Sequence, residues 1–498
     1  MKNNYRIVLL YTIAIALFAC QPSIDNDNAG ELPAIASSSS PTQEILPTPF
    51  PTRPIFFPGE LVEYIAQNGD TLPALAAHFN TSIDEIRTAN SILPDDVTTL
   101  PAGLPLQIPI YYRPFWGSPL QIIPDSHFIN GPAAVEFDTS AFVNSRPGWL
   151  KDYAAYAGEK TRTGADIVDY VATNFSVSPR VLLALLEYQS NAISSQIVTS
   201  ETKEYPLGHI DESNRSLYLQ LVWAANILNN GYYGWKGGEL ISFDLADGRI
   251  VQPDPWQNSA TVALQYYINE ALEPSTYLFA IGPDGFAKLY SDLFGQPWES
   301  EAHIPGSLRQ PELQLPFEPN TPWTLTGGPH VGWGAEDGRP KSALDLAPPS
   351  QVKGCVKSDE WATAISSGVV VRSERGQVAL DLEGDGDERT GWVIFYLHIE
   401  TRERVAVGDS LLPGDFVGHP SCEGGIATGS HAHIARKYNG EWIPAAGVIP
   451  FVMDDWVPFE GSNAYEGGLT RFGRRITACE CSSEENQITS SQVLESNP

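Results

Sequence analysis

The rhythm of apolar and polar positions changes several times along this chain, and each change predicts a different element. Ile7 to Phe18 is one apolar run, too short to span a bilayer, preceded by the cations Lys2 and Arg6. Residues 20–57 hold Ser, Pro, Thr, Asn and Asp with little apolar period, which predicts an extended tether. The pattern then becomes regular. Val62-Glu63-Tyr64-Ile65-Ala66 alternates as a strand does, and Asn68-Gly69-Asp70 predicts a turn. Asp70 or Thr71 is placed to cap a helix with Pro73 in its first turn, and Leu72, Leu75, Ala76 and Phe79 line one face of it. A second short helix carries Ile83, Ile86 and Arg87 up to Asn90. The strand Leu106-Gln107-Ile108-Pro109 then closes a small βααβ unit over 58–111.

Residues 112–145 show no sustained period and are expected to be a linker. From 146 to 320 the pattern is mostly helical and rich in Trp and Tyr; Ser178-Pro179 followed by Val181 to Leu186 predicts a capped, buried helix. Beyond 321 the period shortens to two. Gly368 to Val371, Gln377 to Asp381 and Trp392 to Ile399 read as successive strands of a mainly antiparallel β domain ending near 475, followed by a tail over 476–498. At 498 residues the chain is therefore expected to be multi-domain.

Charge removes whole classes of partner. The formal net charge is −30, and loss of residues 1–19 with Lys2 and Arg6 would take it to −32. Nucleic acid and polybasic membrane binding both need the opposite sign. Of five cysteines, Cys20 stands directly after the apolar run, and the other four, Cys355, Cys422, Cys479 and Cys481, lie in the last third. An even number in an exported chain favours disulfides, with three connectivities open; Cys355 with Cys422 is the preferred pairing, and Cys479 with Cys481 stays undecided.

The candidate chemistry lies in the histidines. Five of nine fall between 330 and 433. His431 and His433 are two apart, so on a strand both side chains look the same way. A catalytic zinc site with an open position needs further ligands, and Gly327-Gly328-Pro329-His330, Arg339 to Asp345 and Tyr396-Leu397-His398 supply candidates. The acidic run Asp381 to Asp387 alternates like the start of a calcium loop. It lacks the closing Glu, since Trp392 stands there, so a solvated hairpin turn is the preferred reading.

Four resemblances follow from these residues. Leu17-Phe18-Ala19-Cys20 resembles the lipobox of bacterial lipoproteins, which implies acylation of Cys20 and an extracytoplasmic, lipid-anchored protein. The βααβ unit resembles the LysM module, implying binding to N-acetylglucosamine-containing glycan. The helix ending Tyr188-Gln189-Ser190 is similar to one in lytic transglycosylases. Gln189 stands where that family has its acid, which implies a degenerate lysozyme-like domain without its own chemistry. Residues 321 to about 455 resemble the lysostaphin/LytM-type zinc endopeptidases. Lys341 stands where most of that family has a histidine, whereas the beta-lytic branch, with its longer loop before the aspartate, fits. The resemblance implies Zn2+ at His330, Asp345 and His433, with His431 taking a proton from the metal-bound water and His398 donating to the oxyanion. It implies hydrolysis of peptide cross-links in peptidoglycan. The rival expectation is an inactive LytM-like lipoprotein that activates other wall hydrolases; the complete ligand set argues against it.

Overall fold

A computed structural model describes residues 47–490 apart from Pro114 and Ser482. The expected targeting segment, Cys20 and the end of the expected tail lie outside the described residues.

The first strand, β1 (Glu60–Ile65), pairs antiparallel with β2 (Pro105–Ile110), with α1 (Leu72–His78) and α2 (Ile83–Ala89) between them. Thr71 is the cap of α1, its hydroxyl accepting from the Ala74 amide. Asp70 is turned inward instead, accepting from the Tyr64 hydroxyl at 2.6 Å and the Gln67 amide at 2.7 Å. Leu72, Leu75, Ala76 and Phe79 are all buried, so the predicted face is the one that packs.

This unit does not swing free. Thr98 and Thr99 donate from their hydroxyls to the carbonyls of Leu308 and Pro305, and Asn68 bonds to His303 and to the Ile304 amide. The tether expected to reach residue 57 is likewise fixed from Pro47 onward. Thr48 donates to Asp284 at 2.8 Å, and Arg53 pairs with Asp254 while lying 3.7 Å over the Trp256 ring.

The middle of the chain is built on α3 (Gly164–Phe175), α4 (Pro179–Ser190), α5 (Leu217–Lys236), α6 (Ser259–Ala271) and α7 (Phe286–Phe294). Residues 112–145, expected as a linker, supply Ile122, Ile123, Phe128 and Val143 to the same core. Their helices, such as Asp125–Phe128, are too short to show a period in sequence. On α4, Gln189 donates to the Tyr267 hydroxyl, and Glu187 is turned back to accept from the Ile193 and Ser194 amides.

The last region is a nine-stranded sheet. Its main strands are β3 (Trp323–Val331), β4 (Lys341–Ala347), β5 (Gly368–Glu374), β6 (Gln377–Asp381), β7 (Trp392–Leu397) and β8 (Ala432–Tyr438), in the spatial order β5-β6-β7-β8-β4-β3. Gln487–Ile488 adds an edge strand beside β3, so this part of the expected tail belongs to the sheet. Every residue of β7 is buried because both faces of the sheet are covered. Ile394 and Tyr396 join the domain's own β core, while Phe395, Leu397, Ala435 and Trp442 join the helical core. One face of the sheet therefore rests on the middle region.

In the hairpin at 381–390 the acidic side chains cap backbone amides. Asp381 accepts from Glu383 and Gly386, Asp385 accepts from Asp387, and Asp387 is held by Arg389. No metal-ligating group forms there among the described residues.

Candidate metal centre

Strand register assembles the site. His433 on β8 is paired directly with Asp345 on β4, and also with Leu397 of β7, whose next residue is His398. On the other side of β4, His330 of β3 is paired with Ala343, two residues from Asp345. Period two puts these side chains on the sheet face that meets the helical core. His330, Asp345 and His433 are each no more than 7% exposed.

The ligating atoms converge. His330 Nε2 lies 3.3 Å from Asp345 Oδ1, His433 Nδ1 lies 3.2 Å from the same oxygen, and the two ring nitrogens are 3.0 Å apart. The opposite nitrogen of each ring is committed to a carbonyl. His330 Nδ1 donates to Gly328 at 2.8 Å, and His433 Nε2 donates to Gly332 at 3.0 Å. These bonds fix the tautomers, so the inward nitrogens carry lone pairs. Three acceptors thus face one another, and the buried Asp345 Oδ1 has no hydrogen-bond partner among the described residues. Such a cluster is stable only around a cation. The residues present fit a divalent metal.

Two further histidines border the cluster. His431 Nε2 lies 3.5 Å from Asp345 Oδ1, and its ring centroid is 4.5 Å from that of His398. Each donates from Nδ1 to a carbonyl, His431 to Gly429 and His398 to Glu423, both at 2.8 Å. Burial, reinforced by repulsion from His431 and His433, lowers the His398 pKa to about 3. His431 is also disfavoured as a cation by burial, but the Asp345 carboxylate beside it overrides this and raises its pKa. Burial would raise the pKa of Asp345 itself. The neighbouring imidazoles of His330 and His431 favour its charged form and hold it well below the usual carboxylate range. His398 has φ +65°, a left-handed backbone that a non-glycine residue adopts only under constraint. Its carbonyl is gripped by the amide and hydroxyl of Ser421.

Loops complete the surroundings. Cys355 and Cys422 are bonded, with Cα atoms 5.8 Å apart, and Ser430 beside His431 donates to the Gly354 carbonyl in the same tied segment. Cys479 and Cys481, left undecided from sequence, are also bonded. The loop between His330 and Asp345 rests on α5, where Asn226 and Asn230 accept from the amides of Ala335 and Arg339. His419 stands apart, linking the Glu360 carbonyl to Glu403.

Sequence reasoning missed Tyr465, whose ring stacks on His330 at 4.1 Å, and the close approach at Gly327, where an added Cβ would meet Asp345 Oδ2 at 2.5 Å. Neither carries a local signal; Tyr465 sits in a polar turn more than a hundred residues from its partner.

Comparison with known proteins finds matches over much of the chain. The chain matches the LysM domain model over residues 64–109 and the model for "LasA, N-terminal domain" over 121–307. Protease LasA of Pseudomonas aeruginosa is 23% identical over 343 residues, which cover 65% of this chain and 75% of the relative. The chain is a metallopeptidase with a LysM domain. Among solved structures similar to this metallopeptidase is the M23 metalloprotease pseudoalterin, from the deep sea. It is 23% identical, the match covering 34% of this chain and 96% of that one, with a TM-score of 0.29. The catalytic domain of lysostaphin from Staphylococcus simulans is 24% identical, over 25% of this chain and 90% of that one, with a TM-score of 0.18.

Proposed function

We propose that this metallopeptidase hydrolyses peptide cross-links of bacterial peptidoglycan, with Zn2+ held by His330, Asp345 and His433. The observation that carries the reading is the convergence of three acceptor atoms, with Asp345 Oδ1 at their centre and without a hydrogen-bond partner among the described residues. Two imidazoles and one carboxylate leave a bound zinc a net positive charge, so the metal supplies acidification of a water and polarisation of the scissile carbonyl.

The chain's own residues handle the protons. His431 Nε2 takes the proton of the attacking water, because the Asp345 carboxylate at 3.5 Å favours its charged form. The imidazolium so formed then returns that proton to the leaving amine. His398 has a different part from the oxyanion donor expected above. Its Nδ1–H is committed to the Glu423 carbonyl and burial keeps the ring neutral, so Nε2 presents a lone pair. His398 therefore accepts from the water and orients it.

Burial of these side chains against the helical region excludes bulk water and strengthens each of these interactions. The LysM unit holds glycan while the peptidase cuts the attached peptide, and the middle region keeps the two at fixed separation. The lysozyme-like reading of that region is retained only as a grip on glycan, since Gln189 has no ionisable proton. Acylation of Cys20 keeps the whole chain outside the membrane.

The test is mass spectrometry of the muropeptides released when purified peptidoglycan is incubated with the full chain, with and without a chelator. New peptide termini that vanish on chelation and return with Zn2+ support the proposal. Unchanged release in chelator, or no new termini in any condition, refutes it.

A further inference from the structure

Two neighbouring arginines have no carboxylate partner among the described residues. Arg162 lies on the second strand of the hairpin Ala154–Ala157 and Lys160–Thr163, and Arg375 stands in the turn between β5 and β6. Both guanidinium groups rest on the Tyr170 ring of α3, at 4.3 Å and 4.7 Å from its centroid. The hairpin tip closes on the same group: a Cβ added at Gly158 would meet Arg375 Nη1 and Tyr170 Cε1, each at 2.8 Å.

Arg162 is 6% exposed, and the Nε atoms of both arginines are buried without a hydrogen-bond partner. Their outer nitrogens are also unpaired but are not among the buried atoms, so they keep contact with solvent. By contrast Arg372, Arg389 and Arg402 of the same domain are each paired with a carboxylate. A buried arginine is ordinarily paired, because an unpaired guanidinium gives up hydration for nothing in return. Burial lowers the Arg375 pKa; Glu159 opposes the shift and Arg162 adds to it, so the two guanidinium charges feel one another.

The turn that carries Arg375 is built into the catalytic edge. The Ile399 amide, next to His398, donates to the Gly376 carbonyl at 3.0 Å. Gly376 in turn abuts Glu423, whose carbonyl holds His398 Nδ1.

We propose that Arg162 and Arg375 form a carboxylate-binding subsite beside the metal centre, taking an acidic group of the peptide being cut. Guanidinium and carboxylate match in charge and in planar hydrogen-bonding geometry. The net charge of −30 repels a free anion, so the carboxylate is one delivered by a peptide held at the metal centre. The hydrolytic reading supplies the substrate for this subsite, whereas the test below reads binding alone.

The experiment is fluorescence anisotropy of the full chain, in chelator so that nothing is cut, with two labelled peptides of sequence Ala-γ-D-Glu-Lys-D-Ala amidated at the C-terminus. One keeps the free glutamyl carboxylate and the other carries its carboxamide. The wild-type chain should bind the acid about tenfold more tightly than the amide. Arg162→Gln and Arg375→Gln should each weaken acid binding to the level of the amide, and Arg375→Lys, which keeps the charge, should hold part of the preference. Arg375 is half-buried, so its variants give an independent reading should loss of the buried Arg162 disturb the hairpin. A preference found in a chain that cleaves no peptidoglycan supports the subsite while the hydrolytic reading falls. Equal binding of the two peptides by the wild type, or none, overturns the inference, as it would if the arginines only packed on Tyr170; so does a preference unchanged in the variants.

Discussion

Replacing Glu441 by Gln removes one carboxylate from the place where the sheet, the helical region and the LysM unit meet. Glu441 lies 3.0 Å from Lys236 Nζ, 2.7 Å from His303 Nε2 and 3.0 Å from the Tyr232 hydroxyl. His303 in turn bonds to Asn68 of the LysM unit. Burial alone would raise the pKa of Glu441, but Lys236 and His303 outweigh it and lower it from 4.5 to about 2. That difference corresponds to roughly 3 kcal/mol of stability at neutral pH. Because the folded pKa is depressed, the contribution is complete above the unfolded value near 4.5 and is lost as pH falls towards 2. Urea unfolding of the full chain and of Glu441→Gln at a series of pH values measures it. The gap between the two proteins should be close to 3 kcal/mol at pH 7 and should narrow progressively below pH 4.5. A gap of the same size at pH 7 and pH 3, or none at pH 7, would refute the electrostatic origin.

Three other perturbations act nearer the metal. Gly327→Ala sets a methyl group against the Asp345 carboxylate; metal affinity in a competitive chelator titration should fall by roughly ten- to hundredfold while the thermal midpoint barely moves. Tyr465→Ala removes the ring stacked on His330 and should weaken metal affinity about tenfold, whereas Tyr465→Phe keeps the stack and should retain it. Equal affinity in both Tyr465 variants would show that the ring does not position His330. Cys355→Ser opens a bridge between residues 67 apart in sequence, which should cost about 4 kcal/mol of stability and lower turnover by freeing the segment that Ser430 grips. Full activity and an unchanged unfolding midpoint would count against both effects.

Local signals made the elements legible. Pro73 and the spacing of Leu72, Leu75 and Phe79 specified α1, the continuous apolar run Trp392 to Leu397 specified β7, and His431-Ala432-His433 specified a shared face. What sequence did not carry was mostly long-range packing. Glu441 follows a glycine turn and looks like a solvated residue, yet it is 2% exposed because three regions close over it. Residues 112–145 read as a linker because their helices are too short for periodicity, although Ile123 and Phe128 are fully buried. The part proposed for His398 depends on a carbonyl at Glu423, twenty-five residues away, which sets the tautomer and has no signature in the order of side chains.

Elemental analysis of the purified full chain, alongside its His433→Ala variant, bears most directly on the metal centre. The account predicts one zinc per wild-type chain and next to none in the variant, with both retaining their fold by circular dichroism. A wild-type chain that cleaves peptidoglycan with no bound divalent metal, or a variant that keeps its full complement of zinc, would contradict it.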